Sequence, residues 1–232
     1  MRIITWNCCG GFLGKAKHIA KLEPDILSVQ EVEAIDDIRL FSEESRPTYT
    51  HRVSLNPRAK KSIGMFSYTG TKLSFIESMR GIRKYEVQYA GEVFHGMAVW
   101  TSATAPPHKG YRQLHDALEQ SEVVKWISQR PTVVLGDFNQ SAKFASDGWS
   151  KLKKLTDSLG FVSAYHHFRK ENFGQESLPT HYHHHKKEKP FHLDYCFIPK
   201  QWAPRITNVQ VGAYEDWRVI SDHVPLIVDI DL

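Results

Sequence analysis

Six short segments of this chain of 232 residues place acidic, amide or basic side chains directly beside an apolar run that is typical of a β-strand. Carboxylates are costly to bury and seldom lie beside strand cores unless they are paired or bind a metal. Four carboxylates, two asparagines and one histidine, spread from position 7 to position 223, therefore predict a metal site. The six segments are Ile4-Thr5-Trp6-Asn7, Val29-Gln30-Glu31, Tyr111-Arg112-Gln113, Gly136-Asp137-Phe138-Asn139, Leu193-Asp194-Tyr195 and Ser221-Asp222-His223.

The order of these residues relative to their strands constrains the topology. Asn7, Glu31 and Asp137 end their predicted strands, whereas Asp194 and Asp222 precede theirs. For all five side chains to meet, the last two strands must run antiparallel to the first three. The sheets should therefore be mixed, which argues against a Rossmann arrangement with its mostly parallel sheet.

Strand and helix patterns occur in both halves of the chain and predict two sheets packed face to face with helices outside. Alternation over residues 82–102 predicts a hairpin that turns at Ala90-Gly91, and the polar stretch 163–191 predicts a long surface loop. Other strands are expected at 2–6, 26–29, 49–54, 63–68, 73–78, 133–135, 195–198, 206–211 and 224–230. Helices are expected at 15–22, 35–41, 111–128 and 149–159, the last ended by Gly160.

Composition is consistent with one soluble α/β domain. No Pro/Gly/Ser-rich linker divides residues 1–232, so we expect a single domain. The net charge of +4 suits a polyanionic substrate but is equally common on proteins that bind none. Three cysteines without metal spacing, no signal peptide and no membrane-length apolar run predict a cytoplasmic protein without a membrane partner, and we expect a monomer.

The chemistry of the predicted site follows from its side chains. On extended chain Asp137 and Asn139 point to the same face, where they can hold one water or one phosphate. Glu31 and Asp222 offer hard oxygen ligands, which favour Mg²⁺ or Mn²⁺ over zinc. A charged His223 can donate a proton to a phosphoryl oxygen, with Asp194 holding it charged and oriented.

Each of these residues also has an ordinary structural interpretation. Glu31 alone is typical of a loop carboxylate, and the two asparagines are typical turn residues. Asp194 could instead form an ion pair with Lys200 or Arg205, Asp222 could begin a turn, and a lone His223 could be a hydrogen-bonded structural residue. All of these interpretations would have to hold together, in this order along the chain, to explain the pattern without a catalytic site.

Taken together, Trp6-Asn7, Gln30-Glu31, Gly136-Asp137-Phe138-Asn139, Leu193-Asp194-Tyr195 and Ser221-Asp222-His223 resemble the endonuclease/exonuclease/phosphatase superfamily. That group includes exonuclease III, apurinic endonucleases, pancreatic deoxyribonuclease, sphingomyelinases and inositol polyphosphate 5-phosphatases. The resemblance runs from residue 3 to residue 230. It implies a four-layered α-β-β-α sandwich with two mixed sheets, like that of pancreatic deoxyribonuclease, and hydrolysis of phosphoesters with a divalent metal.

The resemblance also implies roles for individual residues of this chain. Asn7 and Glu31 would lie at the metal, with Glu31 as its main ligand, and Asp222 would contact a metal directly or through water. Asp137 would orient or deprotonate the attacking water, and Asn139 would bind the phosphate. Asp194 would pair with His223, which would stabilise the pentacovalent transition state. Arg112 resembles the family's Arg-Gln step and is expected to bind substrate.

Two positions depart from the family pattern. Thr101 stands where nuclease members usually carry His or Tyr, and its hydroxyl can donate to phosphate but cannot act as a general acid near neutral pH. Leaving-group protonation would then need metal-bound water, His95 or His108. Cys9 stands where apurinic endonucleases tend to have another polar residue, which weakens the interpretation as a repair enzyme.

The substrate class is the least constrained prediction. A Mg²⁺- or Mn²⁺-dependent nuclease or phosphodiesterase acting on DNA or RNA ranks first. Basic clusters at 58–61 and 186–189 suit a nucleic-acid backbone, although solvated loops explain them equally well. Several tryptophans could stack on bases, although such tryptophans are more often packing residues. A phosphomonoesterase or a phospholipid or inositol-phosphate hydrolase is the alternative. A non-catalytic binding module is disfavoured because Glu31, Asp137 and His223 are all present. The tract His181–His185 is expected on the surface at the rim of the site.

Overall fold

Two six-stranded β-sheets form the framework of the protein in a computed structural model, which describes residues 1–33, 49–51, 61–68, 70–79, 81–101, 109–144 and 148–232. Side chains are described throughout these ranges except at 49–51 and 109–113. In chain order the strands and α-helices are β1 (Arg2–Asn7), α1 (Phe12–Ala20), β2 (Ile26–Glu33), β3 (Tyr49–His51), β4 (Lys61–Ser67), β5 (Thr71–Met79), β6 (Ile82–Tyr89), β7 (Glu92–Trp100), α2 (Lys109–Glu119), α3 (Ser121–Gln129), β8 (Thr132–Asp137), α4 (Gly148–Ser158), β9 (Phe161–Ser163), α5 (Ala164–Arg169), β10 (His181–Tyr182), β11 (Pro190–Phe191), β12 (Asp194–Pro199), β13 (Ile206–Val211), α6 (Tyr214–Trp217) and β14 (Leu226–Ile230).

Both sheets are mixed, as the order of the polar residues predicted. The first has the strand order β13-β14-β1-β2-β4-β3, and the second has the order β5-β6-β7-β8-β12-β9. β1 and β2 are parallel, as are β7 and β8, whereas β14 runs antiparallel to β1 and β12 antiparallel to β8. The residues that end β1 and β8 therefore lie at the same edges as those that precede β14 and β12.

Alternation along the strands sorts side chains between the two faces of each sheet. In β1, Ile3 packs in the core between the sheets while Ile4 and Trp6 pack on the outer face. In β8, Val133 and Leu135 face the inter-sheet core while Val134 faces outward. Because side chains two apart share a face, Asn7 and Asp137 at the strand ends continue the inward-facing rows.

Helices cover both outer faces, which confirms the four-layered α-β-β-α architecture. Phe12, Ala16 and Ile19 of α1 are buried against the outer face of the first sheet. Helices α2, α3 and α4 cover the second sheet through apolar side chains that include Leu118, Val123 and Leu152. No described helix is both long enough and apolar enough to cross a membrane.

Most predicted strands are present, but the prediction of a long surface loop over 163–191 is wrong. This stretch contains α5, a hairpin of β10 and β11, and several buried polar residues, among them Thr180 and His166. Periodicity missed it because its side chains are held by hydrogen bonds rather than by an apolar stripe. The single helix expected over 111–128 is divided into α2 and α3, and the helix expected at 35–41 lies outside the described residues.

The segment that ends β8 requires glycine at position 136. Gly136 has a φ of +147°, and a Cβ built on it would lie 1.9 Å from the carbonyl oxygen of Val99 on the adjacent strand β7. No side chain can move to relieve this clash, because the neighbouring atom belongs to backbone that is itself paired in the sheet.

We therefore expect Gly136→Ala to destabilise the protein by about 3 kcal/mol or more, or to prevent folding. The measurement is urea denaturation followed by circular dichroism. Gly14→Ala is the matched control: Gly14 lies in α1 with no heavy atom within 4 Å of the added Cβ, so this change should be neutral or stabilise by up to about 1 kcal/mol. Equal stability of the two variants would contradict the prediction.

Candidate active site

The end of β8 presents the central carboxylate of the site. Asp137 is 1% exposed and accepts three hydrogen bonds, from the Asn139 backbone N–H at 2.8 Å, the Asn139 amide at 2.9 Å and the Asn7 amide at 2.9 Å. Asn139 adopts a φ of +46°, a left-handed conformation that asparagine tolerates better than most residues. Phe138, between the two, points away and packs on Tyr195 and Phe197. The segment therefore brings the Asp137 carboxylate and the Asn139 amide together on the side opposite Phe138.

A buried imidazole–carboxylate pair lies beside Asp137. His223 Nδ1 is 2.8 Å from Asp194 Oδ2, and His223 Nε2 is 4.0 Å from Asp137 Oδ2. The antiparallel register of β12 and β8 sets Asp194 directly opposite Asp137. Asp194 thus pairs with His223, as predicted, and not with Lys200 or Arg205.

The protonation states of His223 and Asp137 follow from their burial and from the opposite charges around them. Burial by itself would lower the pKa of His223, but the Asp194 carboxylate outweighs it, with Asp137 and Asp222 adding to its effect, and the pKa rises to about 10. Burial raises the pKa of Asp137 to about 7, although the positive charge of His223 acts to lower it. Near neutral pH the site therefore holds an imidazolium beside a carboxyl group that can exchange a proton with water.

The first sheet contributes Asn7 and Glu31. The register of β2 and β4 shifts at a β-bulge between Gln30 and Val32, and Glu31, with a φ of +61°, is the extra residue. The bulge turns the Glu31 side chain toward Asn7, whose amide donates to Glu31 Oε1 at 3.1 Å as well as to Asp137. Asn7 Oδ1 accepts the Cys9 backbone N–H at 3.0 Å, which fixes the orientation of the amide. The amide nitrogen of Asn7 therefore faces the carboxylates of Glu31 and Asp137.

Asp222 and His181 complete the site, although His181 was expected on the surface at its rim. Asp222 Oδ2 lies 3.6 Å from His181 Nε2, and the two rings of His181 and His223 are 4.5 Å apart. Burial would raise the pKa of Asp222, but the hydrogen bond from His181 and the charge of His223 hold it well below its usual value. His181 is buried, whereas His183, His184 and His185 are exposed, so only part of the predicted surface tract is on the surface.

Thr180 connects the two halves of the site, and sequence reasoning missed it. Its hydroxyl oxygen accepts the backbone N–H groups of Leu193 and Asp194, each at 3.0 Å. Its carbonyl oxygen accepts the backbone N–H of Val224, next to His223, at 2.8 Å. These bonds join backbone atoms that are remote in sequence, so no local pattern could have indicated them.

Other predicted contributors lie elsewhere or make different contacts. The Thr101 hydroxyl donates to the Phe138 carbonyl and the Asn139 amide donates to the Thr101 carbonyl at 2.6 Å, so Thr101 braces the loop after β8.

His95 stacks on Trp126 and pairs with Thr132 at the far end of β8. This position is about 16 Å along the strand from Asp137, so His95 is too far away to protonate a leaving group. Arg112 lies within α2, and its side chain is outside the described set. His108 and the cluster residues 58–60 are also outside the described residues.

The donor set fits a hard divalent cation. Glu31 and Asp222 present carboxylate oxygens, the ligand type that Mg²⁺ and Mn²⁺ prefer. The buried Asp194 Oδ1 has no hydrogen-bond partner among the described residues. Glu31 Oε2 lies 2.5 Å from the ammonium group of Lys61, so this oxygen already holds a cation in the structure.

Comparison with known proteins agrees with this geometry. A sequence model of the Endonuclease/Exonuclease/phosphatase family matches residues 4–223. The chain belongs to this family. Membership confirms the prediction of a phosphoesterase, and a search of curated proteins found no match.

Solved structures with the same fold span the whole chain. The 3′ phosphatase NExo from Neisseria, bound to a product DNA hairpin, has a TM-score of 0.66 at 15% identity over 100% of both chains. The endonuclease domain of TRAS1, a telomere-specific non-LTR retrotransposon, has a TM-score of 0.68 at 15% identity over 100% of this chain and 98% of its own. An AP endonuclease from Archaeoglobus fulgidus has a TM-score of 0.66 at 16% identity over 100% of both chains. At these identities the likeness confirms the fold.

Thr180→Val should weaken both the fold and the site. Valine has nearly the same shape but cannot accept the two buried N–H groups, and we expect a loss of about 2–4 kcal/mol in the free energy of unfolding. Thr180→Ser keeps the acceptor and should stay close to the wild-type value. Urea denaturation of the three proteins measures the difference, and a valine variant as stable as the serine variant would show that the hydroxyl contributes nothing.

The charge of His223 should depend on Asp194. In the metal-free protein we expect the ring to stay protonated between pH 6 and pH 8.5, because its pKa is raised from 6.5 to about 10. Asp194→Asn removes the largest of the charges that raise the pKa of His223 and leaves only Asp137 and Asp222 to oppose burial, so the ring of this variant should lose its proton at a clearly lower pH than in the wild type. NMR of the ring protons measures both. The pair's contribution to stability should be complete below pH 6.5 and lost as the pH rises through about 10.

Proposed function

We propose that this protein is a divalent-metal-dependent phosphodiester hydrolase, a nuclease that acts on DNA or RNA. The observation that carries the proposal is the pair of His223 and Asp194, whose Nδ1 and Oδ2 atoms are 2.8 Å apart, with Asp137 Oδ2 4.0 Å from the other ring nitrogen of His223. A base and a positively charged donor side by side at the meeting edges of two sheets suit attack by water on a phosphate with stabilisation of the charge that develops.

In this proposal each side chain has one task. Asp137 orients the attacking water and takes its proton, since a pKa raised to about 7 matches the acceptor to neutral pH. The Asn139 amide donates to Asp137 and to the Thr101 carbonyl, and it would exchange one of these acceptors for a phosphate oxygen of the substrate. Asn7 keeps Asp137 and Glu31 in fixed relation through its two hydrogen bonds. His223 donates a hydrogen bond to the phosphoryl oxygens as they gain negative charge in the transition state, and Asp194 keeps it charged.

Glu31 and Asp222 would hold the metal ion, Mg²⁺ or Mn²⁺, through their carboxylate oxygens. A bound divalent cation supplies positive charge that offsets the charge of the phosphate oxygens during displacement. The strongly lowered pKa of Asp222 keeps its carboxylate ionised and available as a ligand at any physiological pH.

A nucleic-acid substrate is supported by the DNA hairpin bound to the Neisseria protein of the same fold. That relative is itself described as a 3′ phosphatase, which favours a phosphomonoester at a DNA 3′ end as the second candidate substrate. Arg112 stays a predicted substrate contact. The Thr101 hydroxyl donates to the Phe138 carbonyl and has no task at the phosphate. The monomeric state and cytoplasmic location stay predictions.

A substrate panel tests the proposal. We expect plasmid DNA, single-stranded oligonucleotides, an abasic duplex or RNA to be cleaved with Mg²⁺ or Mn²⁺ and to be left intact with chelator. Chelator-resistant cleavage would contradict the metal mechanism, and turnover of only inositol phosphates would contradict the nuclease assignment. Asp137→Asn should lower kcat by about a hundredfold or more while the fold survives. Asp157→Asn, which alters an exposed ion pair on α4, should keep wild-type activity.

A further inference from the structure

Lys61 is a lysine whose ammonium group lies on the proposed metal ligand. It is the first residue of β4 and pairs with Glu33 across the bulged end of β2. Its Nζ is 2.5 Å from Glu31 Oε2, while Asn7 donates to the other oxygen, Glu31 Oε1. The side chain is 42% exposed, so the ammonium group can leave this position without disturbing the core.

The neighbouring loop guides the lysine stem toward the carboxylate. Gly10, with a φ of +76°, leaves room for it: a Cβ built on Gly10 would lie 3.3 Å from Lys61 Cε and 3.6 Å from Lys61 Nζ. A second lysine in this region, Lys15, donates to the carbonyl oxygens of Cys8 and Gly10. Lys15 is therefore committed to holding the loop, whereas the contact described for Lys61 is with Glu31.

A divalent cation and this ammonium group compete for the same oxygen. A metal ion coordinated through Glu31 Oε2 would take the place of the Lys61 hydrogen bond, because two cations in contact with one carboxylate oxygen repel each other. The four-carbon stem of lysine has rotamer freedom enough to move the ammonium group away, and an ammonium ion binds phosphate oxygens as a point charge.

We propose that Lys61 is an exchangeable cation of the active site, which neutralises Glu31 while no metal is bound and contacts a phosphate oxygen of the substrate once the metal takes its place. This inference rests on the proposed function, since it assumes that Glu31 binds a metal and that the substrate is a phosphoester. The alternative is that Lys61 only props Glu31 in the orientation that the metal requires. The two ideas predict opposite changes in metal affinity.

Isothermal titration calorimetry with Mn²⁺ alone tests the first half on wild type, Lys61→Met, Lys61→Arg and Lys17→Met. Competition predicts that Lys61→Met lowers the Kd for Mn²⁺ by roughly two- to fivefold, the range that matches an exposed ion pair. Lys61→Arg keeps a cation and should stay within about twofold of wild type. Lys17 is an exposed lysine on α1, and its replacement should change nothing. A Kd that is unchanged or higher in Lys61→Met would overturn the proposal.

Kinetics with the oligonucleotide that wild type cleaves tests the second half. At saturating Mn²⁺, Lys61→Met should raise KM by about threefold to tenfold, and the slope of log KM against log salt should fall by about one, as expected for one lost phosphate contact. Lys17→Met should keep both values. An unchanged KM and slope would overturn the phosphate contact. Because the calorimetry needs no turnover, a protein that binds Mn²⁺ but cleaves no nucleic acid would contradict the nuclease assignment and leave the exchange at Glu31 standing.

Discussion

The buried ion pair between Asp194 and His223 is the interaction on which the rest of the site depends. Asp194 and His223 are both nearly inaccessible to water, so the loss of either partner would leave the other as an uncompensated buried charge. Ser221 accepts the His223 backbone N–H and donates to the Asn7 carbonyl, and Thr180 accepts the Asp194 backbone N–H. The pair thus fixes the loop before β14 against the start of β12, and it determines the charge that Asp137 experiences.

The two sheets share the work of building the site. The second sheet supplies Asp137 and Asp194 opposite each other on antiparallel strands, and the first supplies Glu31 at a bulge. Asn7 joins them, since its amide donates to a carboxylate on each sheet. The spacing of the carboxylates therefore depends on how closely the inner faces pack. The same edge holds Lys61, so the site has an internal cation of its own beside the ligand that a metal would use.

Much of this arrangement could be predicted from residues alone. The apolar runs before Asn7 and Asp137 indicate buried strands, and the positions of Asp194 and Asp222 before theirs indicate the antiparallel partners. Prediction failed where side chains bond to distant backbone atoms. Thr180 and His181 lie in a polar stretch without periodicity, so their burial beside Asp194 and Asp222 had no local signal. Thr101 was expected to face the substrate because of its position in the sequence. The hydrogen bond of its hydroxyl to the Phe138 carbonyl became visible only in the structure.

The sequence by itself determined the family, the two mixed sheets and the carboxylates, amides and histidine that meet at their edge. It could do so because strand alternation and the order of polar residues are local properties of the chain. Only the tertiary structure decided which group each side chain touches. Asn7 presents its nitrogen rather than its oxygen to the carboxylates, His181 enters the site, and Lys61 lies on Glu31. These contacts join residues from 24 to 130 positions apart, and their distances depend on sheet packing, a β-bulge and buried hydrogen bonds that no local pattern encodes.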